Sequence, residues 1–407
     1  MRNKSSIILL VCTILILFLF YSLPFRKQND VSEVENRTMQ HVPKFSFASF
    51  KDGTFQKQME DSIGDQLLFS SSLKYGTKRV FNALTAATAN MSARALKKTT
   101  PQPSPKAAVV QPQKPSYTYT EVVAGKVYKL DDSGYLVQKP TPPENFDYTI
   151  YDPAMIAAVT EPKYLYFINS SVSTDFNNID QNKVFEYVKK QFPGMTGYAQ
   201  LTFNSFEEYK KLFYQTDHHW NYKGSYLGYK QIMRLMEGDS VSLLEPVGIH
   251  MYNAVYRGSL ARDNLLHEGN EKFTVYLFNL PEHTTFVNDK QMEYGYRSWY
   301  VSDTDFPHKE YTNHYGLYYG DDRAKVVFKY DNPDAESILI LATSFSNAIN
   351  ELVASHYKET HIFDYRHYKK FYGTDIDAQK YMTENHLTKL LIMGDLGSLG
   401  YEIKEKK

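Results

Sequence analysis

Residues 214–221 read Tyr-Gln-Thr-Asp-His-His-Trp-Asn, a carboxylate and two imidazoles in three consecutive positions. Such groups can activate a hydroxyl: a serine is a poor nucleophile until an imidazole takes its proton, and the imidazole needs a carboxylate to hold its tautomer and balance its charge. Asp217 and His219 are two apart, so an extended backbone puts both side chains on one face and turns His218 to the other. Other readings stay open. His218 could be the base instead of His219, Asp217 or Thr216 could merely cap a helix starting near Trp220, with both histidines as surface residues, or His218 and His219 could hold a metal. No further His, Asp or Glu cluster at ligand spacing accompanies them, so no metal and no other cofactor is expected.

The matching nucleophile is Ser344. Ser337 to Leu341 (Ser-Ile-Leu-Ile-Leu) is too short for a helix, is rich in aliphatic residues and follows the turn-like Asp331-Asn332-Pro333-Asp334, which predicts a buried strand. Ala348, Ile349, Leu352 and Val353 share one face at helical spacing. Ser344 therefore falls on a corner between strand and helix. The first N–H groups of a helix lack internal partners and favour negative charge, so such a corner can also supply part of an oxyanion hole. The plainer alternative is that Ser344 only caps the helix.

The motif Thr-Asp-His-His-Trp-Asn at 216–221 with Gly224, Thr343-Ser344-Phe345-Ser346-Asn347 on the corner, and His361-Ile-Phe-Asp-Tyr-Arg366 on the next strand together resemble the DHHW-motif proteins. These are related to the alginate O-acetylation proteins of the wider SGNH hydrolase-like superfamily. Glu35-Asn36-Arg37, Pro43-Lys44-Phe45, Asp52-Gly53-Thr54-Phe55 and Glu60 resemble the segment that follows the membrane anchor in that group. The resemblance covers most of 33–85 and 120–400. It implies Ser344 as nucleophile, His219 as base and Asp217 as its orienter, in the chain order Asp, His, Ser. It further implies acyl transfer, most simply acetyl, to or from hydroxyls of a cell-surface or exported polysaccharide, with a multispanning membrane acyltransferase as donor partner. The sequence departs from many members in reading Ala342-Thr343 where they have Gly-Asp, which puts a Cβ on a tight corner. Asn347 and Gly258, in the Arg257-Gly258-Ser259 turn, are candidates for the second oxyanion donor, and Phe345, Trp220 and Tyr315 for oxyanion or substrate contact. A carbohydrate esterase, or a glycan-binding scaffold on a degenerate fold of this type, are the alternatives.

The position that would carry an acylated cysteine in an Asp-His-His-Cys transferase is Trp220, and the chain's single cysteine is Cys12. Cys12 lies within an apolar run from Ile7 to Phe20, preceded by Arg2 and Lys4 and extended to Phe25 before Arg26 and Lys27. Val11 is too large for a lipid-attachment site, and one cysteine permits no intrachain disulfide. With no small-residue cleavage site after it, the run reads as an uncleaved anchor spanning 1–27, leaving the rest outside the cell membrane. Lys and Arg total 46 against 46 Asp and Glu, a balance without the basic footprint of a nucleic-acid binder. Tyrosines number 34. Tyr311, Tyr315, Tyr318 and Tyr319, with Tyr294, Tyr296 and Tyr300, could line a carbohydrate groove or simply decorate strand surfaces.

Five prolines between Pro101 and Pro115, set among polar residues, mark a linker over 97–118. It separates a helical membrane-proximal segment within 28–96, centred on Phe55 to Ala87, from a main domain over 119–407. That domain is expected to open with a hairpin from Val122 to Val137 turning at Asp131-Asp132-Ser133-Gly134. Strands are expected at 164–169, 337–343, 361–364 and 389–393, and helices near 181–191, 205–213, 222–236, 346–357 and 376–385. The alternation predicts the α/β class, a central parallel sheet covered on both faces with the site at the strands' C-terminal ends; with the resemblance this becomes an SGNH hydrolase-like three-layer α/β/α sandwich.

Overall fold

The computed structural model describes residues 31–32, 37–38, 40–51, 54–66, 116–292 and 309–403. The chain divides into two compact units, Met1–Leu84 and Thr85–Lys407. In the first, Val31–Ser32 pairs antiparallel with Arg37–Thr38, and helices Phe47–Lys51 and Thr54–Gln66 follow. Phe45 gathers Phe47, Phe50 and Phe55 around it, with ring centroids 5.3 to 5.8 Å away. The apolar run at 7–20 with Cys12, the prolines at 101–115, and Tyr294, Tyr296 and Tyr300 lie outside the described residues. Among the described residues, no helix is long and apolar enough to cross a membrane.

The second unit is built on an eight-stranded sheet: β1 (Lys163–Ile168), β2 (Gly197–Leu201), β3 (His283–Val287), β4 (Lys290–Gln291), β5 (Lys325–Tyr330), β6 (Ser337–Leu341), β7 (Glu359–Phe363) and β8 (Lys389–Gly394). Their spatial order is β4-β3-β5-β7-β6-β8-β1-β2. The pairings from β7 through β6, β8 and β1 to β2 are parallel. Those joining β7, β5, β3 and β4 are antiparallel. The expectation of a purely parallel sheet is thus corrected. Five strands are parallel; of the antiparallel edge, β3 and β4 are half-buried or exposed and carry no continuous apolar run, whereas β5, with Val326, Val327 and Phe328 buried, was simply not anticipated.

Both faces of the parallel part are covered, which explains why Ile338 to Leu341 of β6 are all buried. Ile338 and Ile340 face a core that includes Tyr229, Ile232 and Met233 of helix α2 (Tyr222–Glu237). Leu339 and Leu341 face the opposite core, with Phe185 and Val188 of helix α1 (Gln181–Gln191). Side chains alternating across a strand produce this division. Full burial of such a side chain stabilises by roughly 1.5–3 kcal/mol.

From β1 the chain leaves through α1 towards β2, and from β6 it leaves in the other direction to β7, with β8 inserted between β6 and β1. The carboxyl ends of β6, β8 and β1 therefore flank a reversal of strand order, where open α/β sheets form their clefts. The expected N-terminal hairpin is two hairpins in series, Tyr119–Val123, Val127–Leu130 and Leu136–Val137, with 131–134 as the second turn. An antiparallel ribbon not anticipated from sequence, Gly248–Val255 with Lys272–Leu277, leads directly into Tyr256 to Ser259.

Candidate active site

The corner after β6 carries Ser344 in a short 3-10 turn, Ser344–Ala348, before helix Asn350–Ala354; a single helix over 346–357 was expected. Thr343 holds the turn's N-cap position, so Ser344 is not the cap. Ala342, which stands where many members have glycine, is not among the described residues with positive φ, and Thr343 after it is extended, so the corner needs no glycine. The Ser344 and Phe345 N–H groups open the turn and donate to no carbonyl among the described residues.

Opposite the corner, Asp217 and His219 sit in the irregular stretch between helix Phe206–Leu212 and α2. His219 Nε2 lies 2.7 Å from Ser344 Oγ, and His219 Nδ1 lies 2.8 Å from Asp217 Oδ1, which also accepts the His219 backbone N–H at 3.1 Å. The three side chains form one continuous hydrogen-bonded chain, and all three residues are at least 95% buried. The reading of Asp217 or Thr216 as helix cap does not hold. Asn221 caps α2, accepting from Lys223 N–H at 2.9 Å and Gly224 N–H at 3.1 Å, while Thr216 Oγ1 accepts the Gly258 N–H at 3.0 Å.

Asp217 is gripped from the turn after the ribbon. Ser259 donates its hydroxyl to Oδ1 at 2.8 Å and its N–H to Oδ2 at 3.0 Å, and the Tyr256 hydroxyl also donates to Oδ2. Burial pushes the carboxyl upward, but the two imidazoles and the Tyr256 bond outweigh it and hold Asp217 well below the usual carboxylate range. Burial first, and then the charge of Asp217, keep the Tyr256 hydroxyl protonated and donating. One layer further out, Glu271 accepts the Gln215 N–H at 2.6 Å and the Thr216 N–H at 3.3 Å; burial raises its carboxyl to about 8.

His218 departs from expectation. Its ring does not turn away but lies 3.8 Å from that of His219, centroid to centroid, and its Nδ1 is 2.5 Å from Ser259 Oγ. Desolvation, joined by the neighbouring His219, pushes it down to about 3, so it is neutral near pH 7. Asp217, His218 and His219 do bring ligand atoms within 4.8 Å of one another. However, Nδ1 and Nε2 of His219 and both oxygens of Asp217 already have protein partners.

Of the remaining candidates, Phe345 stays at the site, its ring 5.0 Å from that of His219 at 63°. Trp220 is fully buried and donates its indole N–H to the Phe345 carbonyl at 3.0 Å, bracing the corner from beneath instead of meeting substrate. It also packs against α2, where a Cβ at Gly228 would come within 2.4 Å of the indole ring. Tyr315 is buried too. It stacks on His219 at 4.1 Å and 9°, and its hydroxyl donates to the Ser344 carbonyl at 3.0 Å. Tyr318 and Tyr319 are likewise core residues, so this tyrosine cluster is packing and not a carbohydrate groove. Asn347 turns its amide to the Gly320 carbonyl at 3.2 Å and to Asp322 at 3.1 Å. The Gly258 N–H is taken by Thr216, and a Cβ at Gly258 would fall 2.3 Å from Asp217 Cβ. Neither residue is left to serve an oxyanion; Gly258 is there so that two backbones can approach.

The sequence did not single out Tyr256, Glu271 or Asp395. Asp395, following β8, accepts from Ser170 at the end of β1 at 2.9 Å and from the Ser398 hydroxyl at 2.9 Å, while Thr343 donates to Ser398 at 2.8 Å. These bonds tie the ends of β1, β8 and β6 together. The available signal for the Asp217 grip was the turn Arg257-Gly258-Ser259, which the sequence offered for another role.

No family model matches the sequence, and no curated protein matches it. Solved structures do. A DHHW family protein from Eubacterium siraeum superposes with a TM-score of 0.53 at 15% identity, covering 71% of this chain and 96% of that one. PatB1 of Bacillus cereus, in a structure with a sulfonyl adduct, gives 0.49 at 20% identity over 70% of this chain and 100% of that one. The O-acetyltransferase domain of Pseudomonas putida AlgJ gives 0.36 at 11% identity, over 67% and 91%. The relationship suggested by the Asp-His-His-Trp motif is met at the level of fold.

Proposed function

We propose that this chain, whose fold is that of a DHHW family protein, transfers an acyl group, acetyl by the resemblance, to or from hydroxyls of a cell-surface or exported polysaccharide. The observation that carries the reading is the unbroken series Asp217 Oδ1, His219 Nδ1, His219 Nε2, Ser344 Oγ, with separations of 2.8 and 2.7 Å. In this reading His219 Nε2 takes the Ser344 proton as Oγ attacks the acyl carbonyl carbon. The tetrahedral oxyanion is met by the Ser344 and Phe345 N–H groups, and the leaving alkoxide departs with the proton from Nε2. An acceptor hydroxyl then repeats the sequence in reverse on the acyl-enzyme, a sugar giving transfer and water giving hydrolysis. Asp217, kept anionic by its donors, stabilises the imidazolium formed in both halves. An anchor at 1–27 would place the domain outside the cell membrane beside a multispanning acyl donor.

Incubation with a small activated acetyl ester tests the reading by intact mass. One acetyl group should accumulate transiently on the native chain and be absent from Ser344→Ala; no adduct and no turnover would leave a glycan-binding role in its place.

A further inference from the structure

A cavity of about 1090 Å³ opens past the carboxyl end of β1, walled by Tyr119 and Tyr128 of the first hairpin, the Pro140 to Glu144 segment, the turn after β1 and the outer face of α1. Small-molecule pockets span about 300–1,000 Å³, so this one has room for a chain of several rings. Its walls are parts that also hold the site. The turn at 171–173 follows Ser170, which is bonded to Asp395, and the Leu136 N–H of the hairpin sheet donates to Gln215, two residues before Asp217. β6 and β1 are separated only by β8, placing their carboxyl ends about 10 Å apart.

We propose that this groove, walled by Tyr119, Tyr128 and Tyr187, binds a neutral or zwitterionic glycan chain, and that it excludes polyuronates. Its identification as the acceptor subsite rests on the acyl-transfer reading of Ser344; the binding itself does not. Three arguments carry it. The tyrosines supply flat faces for the C–H side of sugar rings, and Tyr119 is held in place by the Phe176 N–H, which donates to its hydroxyl at 3.0 Å. Lys139, Lys183 and Lys190 line the groove, and none forms an ion pair among the described residues, so their donors are open to hydroxyl oxygens. Glu144, Asp175 and Asp180 supply the acceptors that sugar hydroxyls also require. Three ammonium groups against four carboxylates, of which Glu186 is already paired with Lys189 at 2.5 Å, leave no excess of positive charge to draw a chain bearing a carboxylate on every ring.

The test is calorimetric titration of the intact protein with cellohexaose, the hexamer of N-acetylglucosamine, and a hexaguluronate. At least one neutral hexamer should bind about tenfold more tightly than the uronate, and Tyr119→Ala should weaken it by about tenfold, the loss of one stacked ring. Tyr187→Ala, on the half-buried rim of α1, is the second variant should Tyr119→Ala lower the melting temperature. Both should leave acetyl-adduct formation from the small ester unchanged. The exposed Glu144→Lys should raise uronate affinity. Absence of binding by either neutral hexamer, equal or tighter binding of the uronate, or preference for a peptide of residues 101–115 would overturn the proposal. If no acetyl adduct forms at Ser344 while tyrosine-dependent binding persists, the acyl-transfer reading fails and the groove stands.

Discussion

The two halves of the site are held by different means. Ser344 is presented by backbone: β6 pairs with β7 and β8 on either side, Leu341 opposite Phe363 and Ile392, and the corner follows from the end of the strand. Asp217 and His219 have no strand or helix beneath them. Side chains position them: Tyr256 and Ser259 on the carboxylate, Tyr315 stacked on the ring, and Glu271 on the backbone just before. A hydroxyl at a strand end thus needs only that rigid strand, whereas a carboxylate–imidazole pair in an irregular segment must be fixed by a polar cage, each member of which can fail separately.

The comparison can be broken first at its junction. Ser344→Ala should lower ester turnover by about 10³-fold or more with little change in melting temperature, because the corner is built by backbone; initial rates and thermal scans check both. Gly258→Ala should act on the other half. A methyl placed 2.6 Å from Asp217 Cα forces the cage apart, with a loss of about 1–3 kcal/mol in denaturant midpoint experiments and a fall in turnover that Ser344 itself does not cause. Tyr256→Phe removes one of the donors on Asp217 and should reduce kcat by about tenfold, with KM nearly unchanged, since the bond matters most when the imidazole is charged. Asn221→Ala removes the cap of α2 and should cost about 1 kcal/mol of stability, measured by urea unfolding, with a smaller effect on rate.

The smallest effect separates the two histidines. The folded-state His218 lies below its ordinary value, so the unfolded chain binds the extra proton between pH 6.5 and about 3, and stability must fall as pH drops through that window. Asp217 behaves in the usual carboxylate way, its contribution present above its unfolded value near 4 and lost under stronger acid. His218→Gln should flatten the decline in melting temperature between pH 7 and 5 while leaving ester turnover measurable. Abolished turnover in that variant would instead make His218 the base.

What could be read from sequence follows the same division. β6, β7 and β8 and helices α1 and α2 were legible to within two residues, because buried parallel strands and amphipathic helices write their period locally. The corner at Ser344 was legible for that reason, and Asp217 with His219 through their density of titratable groups. The cage was not. Tyr256 and Ser259 lie about forty positions from Asp217, and nothing in a ribbon's local pattern says which carboxylate it will reach. The antiparallel edge and the burial of Tyr315, Tyr318 and Tyr319 were lost likewise, since a tyrosine's partner decides whether it is core or surface.

The place of β8 has a consequence for how the molecule comes into being. The last strand of the sheet in chain order is spatially central, with β6 on one side and β1 on the other. Until residues 389–394 have joined, the half that carries the imidazole and the half that carries the hydroxyl have no shared strand between them. Closing that gap links positions more than two hundred residues apart, as in the pairing of Ile392 with Leu165, so its search is slow compared with the formation of either half. A chain emerging from synthesis would bring the His219 imidazole against the Ser344 hydroxyl only in its final step, once the last strand has slid into the middle.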